Sequence, residues 1–105
     1  MFILPLCTAV RYDGPHIKRF SFPSEVLAGD RTSAMCFVGK AAPPITFTWF
    51  KDGDEISNLP NVAIKTDEVF SVIIIRNVTE SSGGNYTCSV RIHLENRAIA
   101  PIFLF

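Results

Sequence analysis

Apolar and polar residues alternate with a period of two along several short stretches of this chain, and no stretch sustains the i, i+3, i+4 spacing of an amphipathic helix. Ala34, Cys36 and Val38 fall on one side of a segment whose other side is Ser33, Met35 and Phe37. Ile45, Phe47 and Trp49 share a side of the next, as do Ile73 and Ile75, and then Tyr86, Cys88 and Val90. Successive side chains of a strand point to opposite faces, so these sets define a core and the pattern predicts an all-β fold. The predicted strands cover 17–22, 25–29, 32–38, 45–51, 62–66, 70–77, 85–92 and 97–105. Between them sit chain breakers: Pro23, Gly29-Asp30, Ala42-Pro43-Pro44, Asp52-Gly53, Asn61 and Gly83-Gly84. Short strands punctuated at this spacing predict a sandwich or a small barrel.

Composition narrows the function. A chain of 105 residues, 48% of them hydrophobic, supports one modest core and therefore one domain. Ten basic residues balance ten acidic ones with no basic run, so nucleic acid is not an expected partner. Residues 1–14 read as an N-terminal segment, a truncated secretory signal or linker, because the small residues of Cys7-Thr8-Ala9 suit signal cleavage while a basic n-region is missing. The domain is expected over 15–105. No apolar run is long enough to span a bilayer, so membrane attachment is expected only through other parts of a longer protein.

Candidate chemistry is sparse. The chain has no Gly-x-Ser-x-Gly elbow, no His-Glu-x-x-His pair and no phosphate-binding glycine loop, so an enzyme is not expected. Asp52-Gly53-Asp54-Glu55 offers carboxylates for a hard cation, but without calcium-loop spacing it reads as a hairpin turn. His16 and His93 have no companion at ligand spacing. No metal and no cofactor is expected.

Cys36, then Trp49 thirteen residues later, then Asn85-Tyr86-Thr87-Cys88 make the most specific arrangement in the chain. All three of Cys36, Trp49 and Cys88 occupy inward positions. The arrangement resembles the cysteine, tryptophan, tyrosine-x-cysteine frame of immunoglobulin domains. That resemblance implies a two-sheet antiparallel sandwich with a Cys36–Cys88 disulfide joining strands B and F, Trp49 on strand C, and Tyr86 as a tyrosine corner bonded to the turn before it. The residues by themselves leave open a pair of reduced core thiols, as in a cytosolic protein. Cys7 is left over and is read as lost with a signal.

"Trp49-Phe50-Lys51-Asp52-Gly53", "Ser71-Val72-Ile73-Ile74-Ile75-Arg76-Asn77-Val78" and "Gly84-Asn85-Tyr86-Thr87-Cys88" resemble the intermediate (I-set) modules of adhesion molecules. "Ile17-Lys18-Arg19-Phe20-Ser21-Phe22-Pro23" followed by "Leu27-Ala28-Gly29-Asp30-Arg31" is similar to ectodomain modules of the arthropod Down syndrome cell adhesion molecule family. Two departures stand out. Family members usually carry aspartate where this chain has Ser82, so a charge pairing at that corner is absent or replaced. The last segment, Ala98 to Phe105, is unusually apolar and contains Pro101, so a full-length final strand is not expected.

Asn77-Val78-Thr79 and Asn85-Tyr86-Thr87 match the N-glycosylation acceptor pattern, with Asn77 the more accessible by its place at a strand end. On the outward sides of strands B and E, alternation gathers Met35, Phe37, Val72, Ile74 and Arg76 on a face that ought to be wet, and apolar patches of that kind mark contact sites. The resemblance implies an extracellular, secreted or cell-surface module of cell recognition that binds protein. It further implies homophilic pairing through this face, ABED in the family's lettering, as an isologous two-fold contact. The alternatives are a heterophilic receptor or immune-recognition domain and, less favoured, an intracellular muscle-type structural module.

Overall fold

A computed structural model describes residues 16–39, 44–92 and 97–104. Among these described residues seven strands run in the order β1 (Thr32–Phe37), β2 (Thr46–Lys51), β3 (Asp54–Glu55), β4 (Val62–Thr66), β5 (Phe70–Ile75), β6 (Gly84–Arg91) and β7 (Arg97–Leu104), with one 3-10 turn, Glu80–Ser82. They form two antiparallel sheets, β1-β5-β4 and β3-β2-β6-β7. The alternation that predicted the strands also builds the core between the sheets. Ala34, Cys36, Ile73 and Ile75 from the first sheet meet Trp49, Tyr86, Cys88 and Val90 from the second, and all are buried. Ile102 and Leu104 of β7 complete that layer.

Two predicted strands, 17–22 and 25–29, come out differently. Residues 17–22 make a single bridge, Ile17 to Val38, with Lys18 N donating to Phe37 O and Gly39 N to His16 O. Beyond that bridge the segment serves the core through its rings. Phe20 packs edge-on against Trp49 at 6.2 Å, and Phe22 against Tyr86 at 5.4 Å. Such aromatic pairs hold without a ladder, and Pro23 has no N–H to extend one.

Residues 25–29 are not a strand. Leu27 to Asp30 close a turn in which Asp30 N donates to Leu27 O and Leu27 N to Asp30 Oδ2, with Gly29 at φ 90° supplying the left-handed step. Reciprocal bonds, Gly29 N to Val78 O and Val78 N to Asp30 O, tie this turn to the chain after β5.

The final strand corrects the sequence expectation in the other direction. β7 is paired along all of β6, from Gly84 opposite Leu104 to Arg91 opposite Arg97. Pro101 sits opposite Thr87 without breaking the ladder. β7 is the edge strand, so one side of its backbone needs no partner, and proline is tolerated where the missing N–H would face outward. Asp52 and Gly53, at φ 51° and 91°, form the two-residue turn that joins β2 to the short β3, a hairpin that the Asp-Gly pair specifies. The Cys7 segment, residues 40–43 and His93 lie outside the described residues.

Candidate interaction face

The two sheets are fastened at one row. Trp49 and Cys88 are register partners in the second sheet, and Ser71 and Cys36 are partners in the first. Side chains opposite one another share a face, so these four meet in the core. Cys36 and Cys88 are disulfide-bonded, with Cα atoms 6.5 Å apart. Beside them, Trp49 Nε1 donates to Ser71 Oγ at 2.9 Å, and that hydroxyl also exchanges a bond with Thr66 Oγ1. Ser71 is fully buried, and the indole and Thr66 satisfy it there. Its parity with Ile73 and Ile75 marks Ser71 as inward, a signal the sequence carries but which apolar patterning passes over.

The corner before β6 is a second fixed point. Tyr86 is buried, and its hydroxyl donates to Ser82 O at 2.5 Å. Burial, reinforced by the Asp52 carboxylate, pushes the Tyr86 hydroxyl up to about 12. The Lys51 ammonium lies 5.7 Å from the ring centre and donates to Ser81 O. Ser82 accepts from Thr79 N through Oγ, so a neutral capping bond closes the 3-10 turn. Asp52 reaches across to the same corner: its Oδ1 accepts from Asn85 N at 3.0 Å, and its own N donates to Asn85 O.

The outer side of β1-β5-β4 is organised in rows across the strands. Met35, Val72 and Lys65 form one row, Ser33, Ile74 and Ala63 the next, and Phe37 faces Phe70 beyond. Met35 is 48% exposed, while Phe37, Val72 and Ile74 are half-buried. Arg76 is exposed one residue past the end of β5. The five residues singled out by parity thus lie on or beside one side of this sheet. Arg76 marks one end of it, and the exposed Asp67 and Glu68 of the β4–β5 connection mark the other.

Residues 14–91 match the family model for the immunoglobulin domain. The chain belongs to the immunoglobulin domain family. It is 32% identical over 75 residues to the cell adhesion molecule Dscam2 of Drosophila melanogaster, and 38% identical over 77 residues to the cell adhesion molecule DSCAM of Homo sapiens. Those matches cover 70% and 73% of this chain but 4% of the length of either relative. Among solved structures it is similar to the Dscam1 Ig7 domain, isoform 5, with a TM-score of 0.78 and 26% identity over 87% of this chain and 94% of that one. It is also similar to the titin fragment I67–I69, with a TM-score of 0.75 over 90% of this chain and 32% of that one, where 23% identity speaks for the fold alone.

Other candidate residues of this immunoglobulin domain separate. Asn77 is exposed just after β5, whereas Asn85 is half-buried within β6 and its side-chain oxygen is enclosed without a partner. Asp52 lies in the hairpin turn and Asp54 follows it, and among the described residues no three His, Cys, Asp or Glu side chains come together to hold a metal ion. His16 is exposed. One feature of the domain escapes the sequence reading. Ile99 and Phe103 are 64% and 68% exposed on the outer side of β7, a row hidden by the expectation that this strand would be incomplete.

Proposed function

We propose that this immunoglobulin domain is an extracellular recognition module that binds protein without catalysis, and that it pairs with a second copy of itself through the outer side of β1-β5-β4. The observation that carries the reading is the contiguous apolar row of Met35 and Val72, flanked by Phe37, Phe70 and Ile74, on the side of the sheet turned away from the core. Burial of such side chains supplies the free energy of association, and charged residues at the rim select the partner. Likeness to cell adhesion molecules of fly and human supports the adhesive role. A Cys36–Cys88 disulfide supports an oxidising compartment.

Charge favours a like partner. Arg76 lies four residues after Val72, just past the end of β5, and Glu68 lies four residues before it, in the connection that leads into β5. A two-fold axis running across the strands through the Met35–Val72 row sets each β5 antiparallel to its copy and brings Arg76 of each copy toward Glu68 of the other. Each ion pair at such a rim adds about 0.2–1 kcal/mol and suppresses wrong registers. Lys65 meets its own copy in this arrangement, but on the edge strand, where solvent screens it.

Sedimentation equilibrium tests the proposal. The wild-type domain is expected to show a monomer–dimer balance that Ile74→Asp shifts to monomer, because the substitution buries two unpaired charges in the contact. An unchanged balance in a folded Ile74→Asp protein rules the face out.

A further inference from the structure

The two glycosylation acceptor sequences of this chain lie in opposite structural settings, and the contrast assigns them different fates. Asn77 is exposed, in the short stretch between β5 and the 3-10 turn. Its main chain is held from both sides: Asn61 Nδ2 donates to Asn77 O, and Val78 next to it is buried and bonded to Asp30 and Gly29. Among the described residues none hydrogen-bonds the Asn77 carboxamide, so the folded chain needs nothing from that group. Thr79, the third residue of the acceptor sequence, is exposed as well.

Asn85 is the reverse. It sits in β6, opposite Phe103 of β7, and its main chain is tied to Asp52: its N–H donates to Asp52 Oδ1 and its C=O accepts from Asp52 N. Its carboxamide oxygen is enclosed with no partner. Tyr86, the middle residue of that acceptor sequence, is a buried anchor of the corner. A sugar on Asn85 Nδ2 would sit beside this enclosed oxygen, on a half-buried side chain at the point where β6 begins and against the Asp52 turn bonded to its main chain. We infer that, in the secretory pathway, this chain carries one N-linked oligosaccharide, on Asn77, and leaves Asn85 bare; the inference rests on the extracellular reading above.

The transfer is the host transferase's reaction. Asn77 Nδ2 attacks the anomeric carbon of an oligosaccharide carried on a lipid pyrophosphate, forming the N–C bond and breaking the bond from that carbon to the phosphate oxygen. The lipid pyrophosphate leaves, and the amide proton passes to a base of the transferase.

The experiment is intact mass of the full chain, secreted from a eukaryotic line behind an added signal peptide, before and after peptide N-glycosidase. Wild type and Asn85→Gln are expected to lose the mass of one oligosaccharide, and Asn77→Gln to emerge bare. Thr79→Ala, which keeps Asn77, is also expected to emerge bare. A second oligosaccharide, a bare wild-type protein, or loss of the sugar in Asn85→Gln overturns the inference. Because the added signal forces the chain through the pathway, a bare product refutes this assignment alone. The extracellular reading fails separately, if the protein in its native setting has both Cys36 and Cys88 as free thiols.

Discussion

Tyr86 concentrates several interactions in one side chain: its hydroxyl donates to Ser82 O, its ring packs edge-on against Phe22, and it lies close enough to Asp52 for the carboxylate to oppose its ionisation. With a folded-state value of about 12 against about 10 in the unfolded chain, the hydroxyl favours the folded state fully below pH 10. That contribution is lost as pH rises from 10 to 12, because the unfolded chain then releases the proton more readily. By pH 12 the loss from this group is about 2 kcal/mol. Tyr86→Phe is therefore expected to be less stable at pH 7 by about 1–2 kcal/mol, from the lost bond, and to show a shallower alkaline decline. Urea unfolding between pH 7 and 11 measures both, and an unchanged alkaline slope would refute the assignment.

Two further residues make sharp tests. Ser71→Ala strands the buried indole N–H of Trp49 and is expected to cost about 1–3 kcal/mol, read from the urea midpoint. Gly84 has φ 144°, and a Cβ there would stand 2.9 Å from the Asp52 carboxylate oxygens. Gly84→Ala should therefore destabilise by roughly 1–3 kcal/mol, and Asp52→Ala in the same chain should relieve only the steric part. At this scale the sequence was most legible for Cys36, Trp49, Tyr86 and Cys88, whose chemistry is tied to fixed spacing. Ser71 was not, since a serine at an inward position looks polar until its partner across the core is known.

Among elements, the sequence located β1, β2, β4, β5 and β6 to within a residue or two: β1, β2, β5 and β6 by alternation, having one face in the core and one outside, and β4, half-buried to exposed along its length, by its short run of strand-forming residues. It failed where a segment earns its place by other means. Residues 17–22 alternate like a strand but keep one bridge and commit Phe20 and Phe22 to aromatic packing. β7 holds a proline and reads as an apolar run, yet an edge position removes the penalty of the missing donor, and its ladder to β6 is unbroken. An apolar run also conceals which side is wet, so nothing in the sequence marks Ile99 and Phe103 as exposed. The β3 hairpin was visible only as its Asp-Gly turn, since two residues are too few to show a period.

For the whole molecule, the disulfide closes a sequence separation of 52 residues, which removes about 4 kcal/mol of denatured-chain entropy on the simplest model. Small domains hold about 5–15 kcal/mol in total, so reduction should lower the urea midpoint severely, and a midpoint unmoved by reductant would contradict the role given to this bond. The face of β1-β5-β4 carries the functional account. Its membership was readable from strand parity alone, whereas its graded exposure and its polarity, basic at Arg76 and acidic at Glu68, needed the register. If two copies pair antiparallel, reversing either charge places like against like twice in a homodimer. Mixing the two variants restores both pairs.

The decisive measurement is sedimentation velocity of Arg76→Glu, of Glu68→Arg and of their equimolar mixture. Each variant alone is expected to shift toward monomer and the mixture to recover the wild-type balance, with the recovery weakening as salt is raised. A mixture that stays monomeric while the wild type dimerises, or variants that dimerise undiminished on their own, would contradict pairing through this face in this register.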